Sequence, residues 1–184
     1  MTLIVILIII AILVVAVISI YNKLVRLRNT VKSSWSDIDV QCKKRYDLVP
    51  NLVETVKGYA SHERTVFEKV TEARSMAMKA TTPQEMAKAE NMLRDTLKSL
   101  FAVAEAYPEL KANANFLQLQ SQLQEIENNI EYSRRYYNSV VRDFNILIES
   151  FPSNLIASQF NFKQADLFQL ETPEAERKPV KVSF

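Results

Sequence analysis

LIVILIIIAILVVAVISI, residues 3–20, contains no charged residue, and its one polar side chain is Ser19. These eighteen residues, at about 1.5 Å each, span ~27 Å, close to the ~30 Å hydrocarbon core of a bilayer. The β-branched residues that dominate it would also suit a buried strand, but such strands run about 4–8 residues. A cleaved leader calls for a basic residue ahead of the apolar run and a small-residue cleavage site. Neither is found: no Lys or Arg precedes Leu3, and the run closes in Ser-Ile-Tyr-Asn-Lys. The stretch therefore reads as an uncleaved membrane helix carried by residues such as Leu3, Ile10, Val17 and Ile20, with Tyr21 suited to the headgroup level.

Working outward, all 23 Lys and Arg and all 21 Asp and Glu lie from Lys23 onward. Lys23, Arg26, Arg28 and Lys32 follow the apolar run with no acid among them. The positive-inside rule puts this flank, and the domain behind it, in the cytoplasm, with the N-terminus outside. The same cations suit anionic lipid, at about 1 kcal/mol each near the surface. A net charge of +2 is too balanced for a nucleic-acid footprint. The expected organisation is an anchor over 1–22, a cytoplasmic helical domain over 23–170 and a flexible tail over 171–184.

One glycine in 184 residues leaves too few turn residues for a sheet and none for dinucleotide or P-loop fingerprints. A chain this poor in Gly and rich in Ala, Leu, Glu, Lys and Gln is all-α. Apolar residues at Leu24, Leu27, Val31, Trp35, Ile38 and Cys42 keep a three–four spacing that carries the membrane helix into the polar region. Pro50 lacks a backbone donor and disfavours helix at Val49, so a turn is expected there. The same phase nevertheless runs on through Val49, Leu52, Val56 and Tyr59, so one long helix bent at Pro50 is the alternative. Thr82, Pro83 and Glu85 form a capping-box start for the next helix, and Pro108 stops it. From about Glu109 to Ser150, apolar residues from Phe116 to Phe151 alternate three and four apart for about five heptads, the spacing of coiled-coil-like packing. Short connections then predict an antiparallel up-and-down four-helix bundle.

The last of these helices, at ~63 Å for about 42 residues, overshoots toward the membrane. It brings Phe151, Phe160, Phe162 and Phe168 near the bilayer, where they either dip into the interface or cap the bundle core. Arg45 and Glu63 occupy apolar phases of the helical pattern and Arg134 lies beside one. A buried charge needs a partner, so either a pair between Arg45 or Arg134 and Glu63 or Asp37 fixes register, or these long side chains snorkel to the edge of the bundle. His62-Glu63 lacks the second His a zinc helix needs, since Val66 stands there. With one His and one Cys, no nucleophile–base set or metal set is legible, and neither an enzyme nor a cofactor is expected. The carboxyl terminus Val182-Ser183-Phe184 has the apolar-x-apolar form that a sheet edge takes up by strand addition.

YNKLVRLRNTVKSSWSDIDVQCKKRYDLVPNLVETVKGYASHE (21–63), FAVAEAYPELKANANF (101–116), RRYYNSVVRDFN (134–145) and FPSNLIA (151–157) closely resemble the LemA family, in order and over nearly the whole chain. The resemblance implies a bacterial inner-membrane protein with a short outside N-terminus and a cytoplasmic helical bundle. It implies no agreed activity. Looser associations of the family are membrane zinc metalloproteases of the heat-shock type, as partners, and oligomers that reshape membranes. The expected function is a non-enzymatic membrane-anchored scaffold, with a homo-oligomeric membrane organiser as the alternative.

Overall fold

The computed structural model describes residues 1–168 of the 184. The expected tail, 171–184, and its terminal Val182-Ser183-Phe184 lie outside the described residues. Every regular element described is helical: α1 (Thr2–Lys57), α2 (Arg64–Lys79), α3 (Pro83–Glu105), α4 (Pro108–Lys111), α5 (Ala114–Glu149) and α6 (Ser153–Gln159). The chain is thus all-α, with one long apolar helix at its N-terminus. The described residues group into two compact units. The first joins Met1–Val40 to Glu131–Leu167, and the second comprises Gln41–Ile130 with Phe168.

In the first unit, every residue from Met1 to Ser19 is exposed. Among the described residues, α1 is the one helix long and apolar enough to cross a membrane. Burial begins at Leu24 and recurs at Val31, Ser34 and Ile38, so one helix changes surroundings without a break in its backbone.

In the second unit, α1 does not turn at Pro50, as first expected; it runs through the proline to Lys57. The reason is local. Proline removes the N–H that would bond to the carbonyl four residues back, which is that of Tyr46. Arg74, on α2, donates its Nε–H to this carbonyl at 2.6 Å. A side chain thus replaces the missing backbone donor. Val49, Leu52 and Val53 are buried around the site, which holds the helix in place. The turn comes instead over 58–63. Gly58 has no positive φ, and a Cβ there would meet only ordinary contact, 3.5 Å from the Thr55 carbonyl. Its contribution is weak helix propensity, about 1 kcal/mol below alanine.

α2 packs against α3, burying Phe67, Val70, Ala73 and Ala77 on one side and Met86, Leu93, Leu97 and Leu100 on the other. The capping box is present: Glu85 N–H donates to Thr82 Oγ1 at 3.2 Å, and Thr82 N–H to the Glu85 carboxylate at 3.3 Å. Hydrogen bonds from the backbone of Thr81 and Thr82 hold the Glu85 carboxyl below its ordinary range. The cap's contribution is therefore full above the ordinary carboxylate value and is lost as pH falls through the lowered one. The single helix expected from Glu109 is divided at 112–113. There Asn113 Oδ1 accepts from Phe116 N–H at 3.0 Å and caps α5.

Arg74→Met should cost about 1–3 kcal/mol in a urea melt, because it strands the half-buried Tyr46 carbonyl. In a Pro50→Ala background, which restores the backbone donor, most of that loss should vanish. An equal loss in both backgrounds would mean that Arg74 does not stand in for the missing N–H.

Candidate membrane-proximal site

The first unit closes on itself just beyond the apolar stretch. α5 ends at Glu149, and Ser153 Oγ donates to the carbonyls of Leu147 and Ser150 at 2.6 and 2.8 Å, binding the start of α6 to the end of α5. α6 ends at Gln159, and the chain turns at Asn161, whose φ of 56° is left-handed, a conformation that asparagine tolerates better than most residues. Phe162 N–H reaches back to the Ala157 carbonyl at 2.9 Å, and Asn161 N–H to that of Ser158 at 3.2 Å. These two bonds satisfy carbonyls that a helix end leaves open. They also reverse the chain.

The reversal places two rings against α1. The Phe160 ring lies 4.8 Å from that of Tyr21, and the Phe162 ring 5.9 Å from Tyr21 and 6.4 Å from Phe144. The Arg28 guanidinium sits over Phe162, 5.0 Å from its centroid, a cation–π contact. Residues 162–167 continue as an extended strap that runs back along α5. Gln164 bonds to Glu149. The Asn145 side-chain amide pairs with Ala165 in both directions at 2.9 Å, donating to its carbonyl and accepting from its N–H. Tyr137 OH donates to the Asp166 carbonyl at 2.8 Å. Burial, and then the nearby Asp166 charge, raise the Tyr137 phenol above its ordinary value, so it stays protonated, and a donor, at neutral pH. Its ring also lies 5.5 Å from Trp35 of α1.

The expected anchor residues Leu3, Ile10 and Val17 are exposed, while Ile20 and Tyr21 are partly covered. The basic flank, Lys23, Arg26, Arg28 and Lys32, is exposed throughout, although Arg28 also covers Phe162. The four aromatics divide. Phe162 and Phe168 are buried, whereas Phe151 is 80% and Phe160 52% exposed.

Arg45 takes partners other than Glu63 and Asp37. Arg45, only 3% exposed, is ion-paired with Glu90 of α3 and Glu127 of α5, and Tyr46 OH also donates to Glu90. Asp37 is exposed. Glu63 lies beyond the end of α1, as the residue before α2. Arg134 belongs to the first unit and Arg45 to the second. Within the second unit Arg45 therefore joins three helices through two carboxylates. Beside it opens a cavity of about 330 Å³ walled by Leu97, Phe101 and Leu123, with Arg94 and Glu127 on its lining. Sequence reasoning found Arg45 by its phase but missed Glu90, which also falls in the apolar series of its helix, between Met86 and Leu93. It missed the strap altogether.

A model of the LemA family matches residues 34–184, which includes the Arg45 cluster and the strap. Protein LemA of Metamycoplasma hominis is 28% identical over 88% of this chain and 74% of its own length. Magnetosome protein MamQ 2 of Paramagnetospirillum magneticum is 24% identical over 81% of this chain. Magnetosome protein MamQ of Magnetospirillum gryphiswaldense is 20% identical over 80%. The chain spans 64% of each of these two magnetosome proteins, under two thirds of their length.

Replacing Asn161 with valine should cost about 1–2 kcal/mol, the penalty of a left-handed residue with a branched side chain. Asn161→Gly should be neutral or mildly stabilising in the same thermal melt. Equal melts for the three proteins would show that the α6 turn does not need its left-handed residue.

Proposed function

We propose, for a chain that belongs to the LemA family, a non-enzymatic role as a single-pass membrane-anchored helical scaffold. The observation that carries this reading is α1, which leaves its exposed apolar stretch and becomes the buried wall of a helical domain without ending. An apolar surface of that extent is unstable in water and suits the interior of a bilayer. In this reading α1, α2, α3 and α5 form an antiparallel up-and-down four-helix bundle that offers its outer surfaces to other proteins. The basic flank from Lys23 to Lys32 supports a bacterial inner-membrane location with the N-terminus outside and the helical domain in the cytoplasm. A non-enzymatic role is supported by the placement of the chain's single His and single Cys: His62 is exposed in the turn before α2, and Cys42 is fully buried. A membrane-bound zinc metalloprotease of the heat-shock type is the partner class we would test first.

Likeness to magnetosome proteins over four fifths of the chain favours one second reading, a homo-oligomer that organises the membrane around it. Chemical crosslinking in the native membrane, read by mass spectrometry, distinguishes the two. The scaffold yields crosslinks chiefly to other proteins and stays dispersed on liposomes. The organiser yields self-crosslinks together with regular arrays and deformed vesicles.

The orientation has its own check. Protease added to intact spheroplasts should leave the helical domain whole, and lysis should expose it to digestion. Cleavage of the domain in intact spheroplasts would reverse the proposed topology.

A further inference from the structure

We infer that α6 and its flanks form a second membrane contact. In this arrangement Phe151, Leu155 and Phe160 sit in the headgroup–acyl boundary of the bilayer that α1 crosses, and lipid is their partner. The inference rests on reading α1 as the membrane span.

Residues 150–162, SFPSNLIASQFNF, contain no charged residue. Folding buries only part of them. Ser153 and Ala157 face the protein, at 3% and 1% exposure, while Phe151 is 80% exposed, Leu155 63% and Phe160 52%. Phe151 lies just before α6, Leu155 within it and Phe160 just after it, so three large apolar side chains stand exposed within ten residues of this short element. A surface facing only water seldom gathers large apolar side chains in this way.

Three observations select lipid as the occupant. The first is level. Phe160 touches Tyr21, which directly follows Ile20 at the end of the apolar stretch, so α6 ends at the height where that stretch ends. The second is continuity, because Tyr21 connects the outer face of α6 with the exposed apolar surface of α1. The third is charge. Lys23, Arg26, Arg28 and Lys163 are exposed around the contact, the arrangement that anionic headgroups favour. An amphipathic segment with an apolar outer face and cations beside it lies in the plane of the interface. A lone spanning helix is free to rotate about its own axis; a second contact at the same height removes that freedom for the first unit.

Spin labels test this on the full-length protein reconstituted in phosphatidylethanolamine–phosphatidylglycerol vesicles. Cys42→Ala supplies the background, and single cysteines are placed by Ile10→Cys, Leu155→Cys and Asp39→Cys. Asp39 is exposed and lies about 27 Å further along α1 than Tyr21 at 1.5 Å per residue, so it is the aqueous reference. At Leu155 the ratio of collisions with oxygen to collisions with a water-soluble nickel chelate should exceed the Asp39 ratio several-fold, while staying below that at Ile10. A ratio at Leu155 equal to Asp39, with Ile10 deep, would overturn the second contact and leave the anchor standing. Shielding of Leu155 from both reagents would mean cover by protein, a second copy included, and would also overturn it. An aqueous ratio at Ile10 would overturn the anchor itself.

Discussion

The apolar surface of α1 between Leu3 and Ile20 is unstable in water, and the helix that bears it does not stop where the apolar run does. The rest of the first unit is arranged around that continuity. Tyr21 is the hinge point in chemical terms: the first aromatic after the apolar run and the ring that the returning chain meets. To reach it, the chain needs the left-handed turn at Asn161 and a strap held to α5 by Asn145 and Tyr137. Each of these contacts is modest alone. Together they clamp the region where α1 changes surroundings, so that it behaves as part of a folded domain.

The second unit solves a different problem with the same helix. Pro50 interrupts the backbone ladder, and the vacancy is filled from α2 by Arg74. One turn earlier, Arg45 is buried and would be costly unpaired. Glu90 and Glu127 neutralise it from two further helices. Buried ion pairs add little net stability over apolar packing, but breaking one is expensive. Their use here is to fix the register of α1 against α3 and α5 within this unit. Two arginines thus correct two irregularities of α1, one steric and one electrostatic.

Much of this is legible in the sequence. The uncharged run, the scarcity of glycine and the three–four phase led to an all-α chain with an apolar N-terminal helix, and Thr82 with Glu85 marked the start of α3. The phase running through Val49 and Leu52 signalled that α1 ignores Pro50, but the local rule for proline pointed the other way. It was overridden by a donor 28 residues distant, which no local pattern reveals. The break at Gly58 was missed because one glycine at ordinary φ carries a weak signal. Arg45 stood out by its phase. Its partners did not, because Glu127 lies on a distant helix and register between helices is not written in either one alone. The strap escaped notice for a similar reason: Asn145 and Tyr137 look like ordinary helix residues until an extended segment is laid beside them.

No flexible linker separates the apolar stretch from the folded part of α1, which is one helix from Thr2 to Lys57. Hydrogen–deuterium exchange of the full chain in lipid nanodiscs, read on peptides covering residues 22–32, tests it most directly. Exchange there should be slow, comparable to that of the strap-bound part of α5 around Tyr137 to Asn145. Exchange within seconds, as in an unstructured linker, would contradict it.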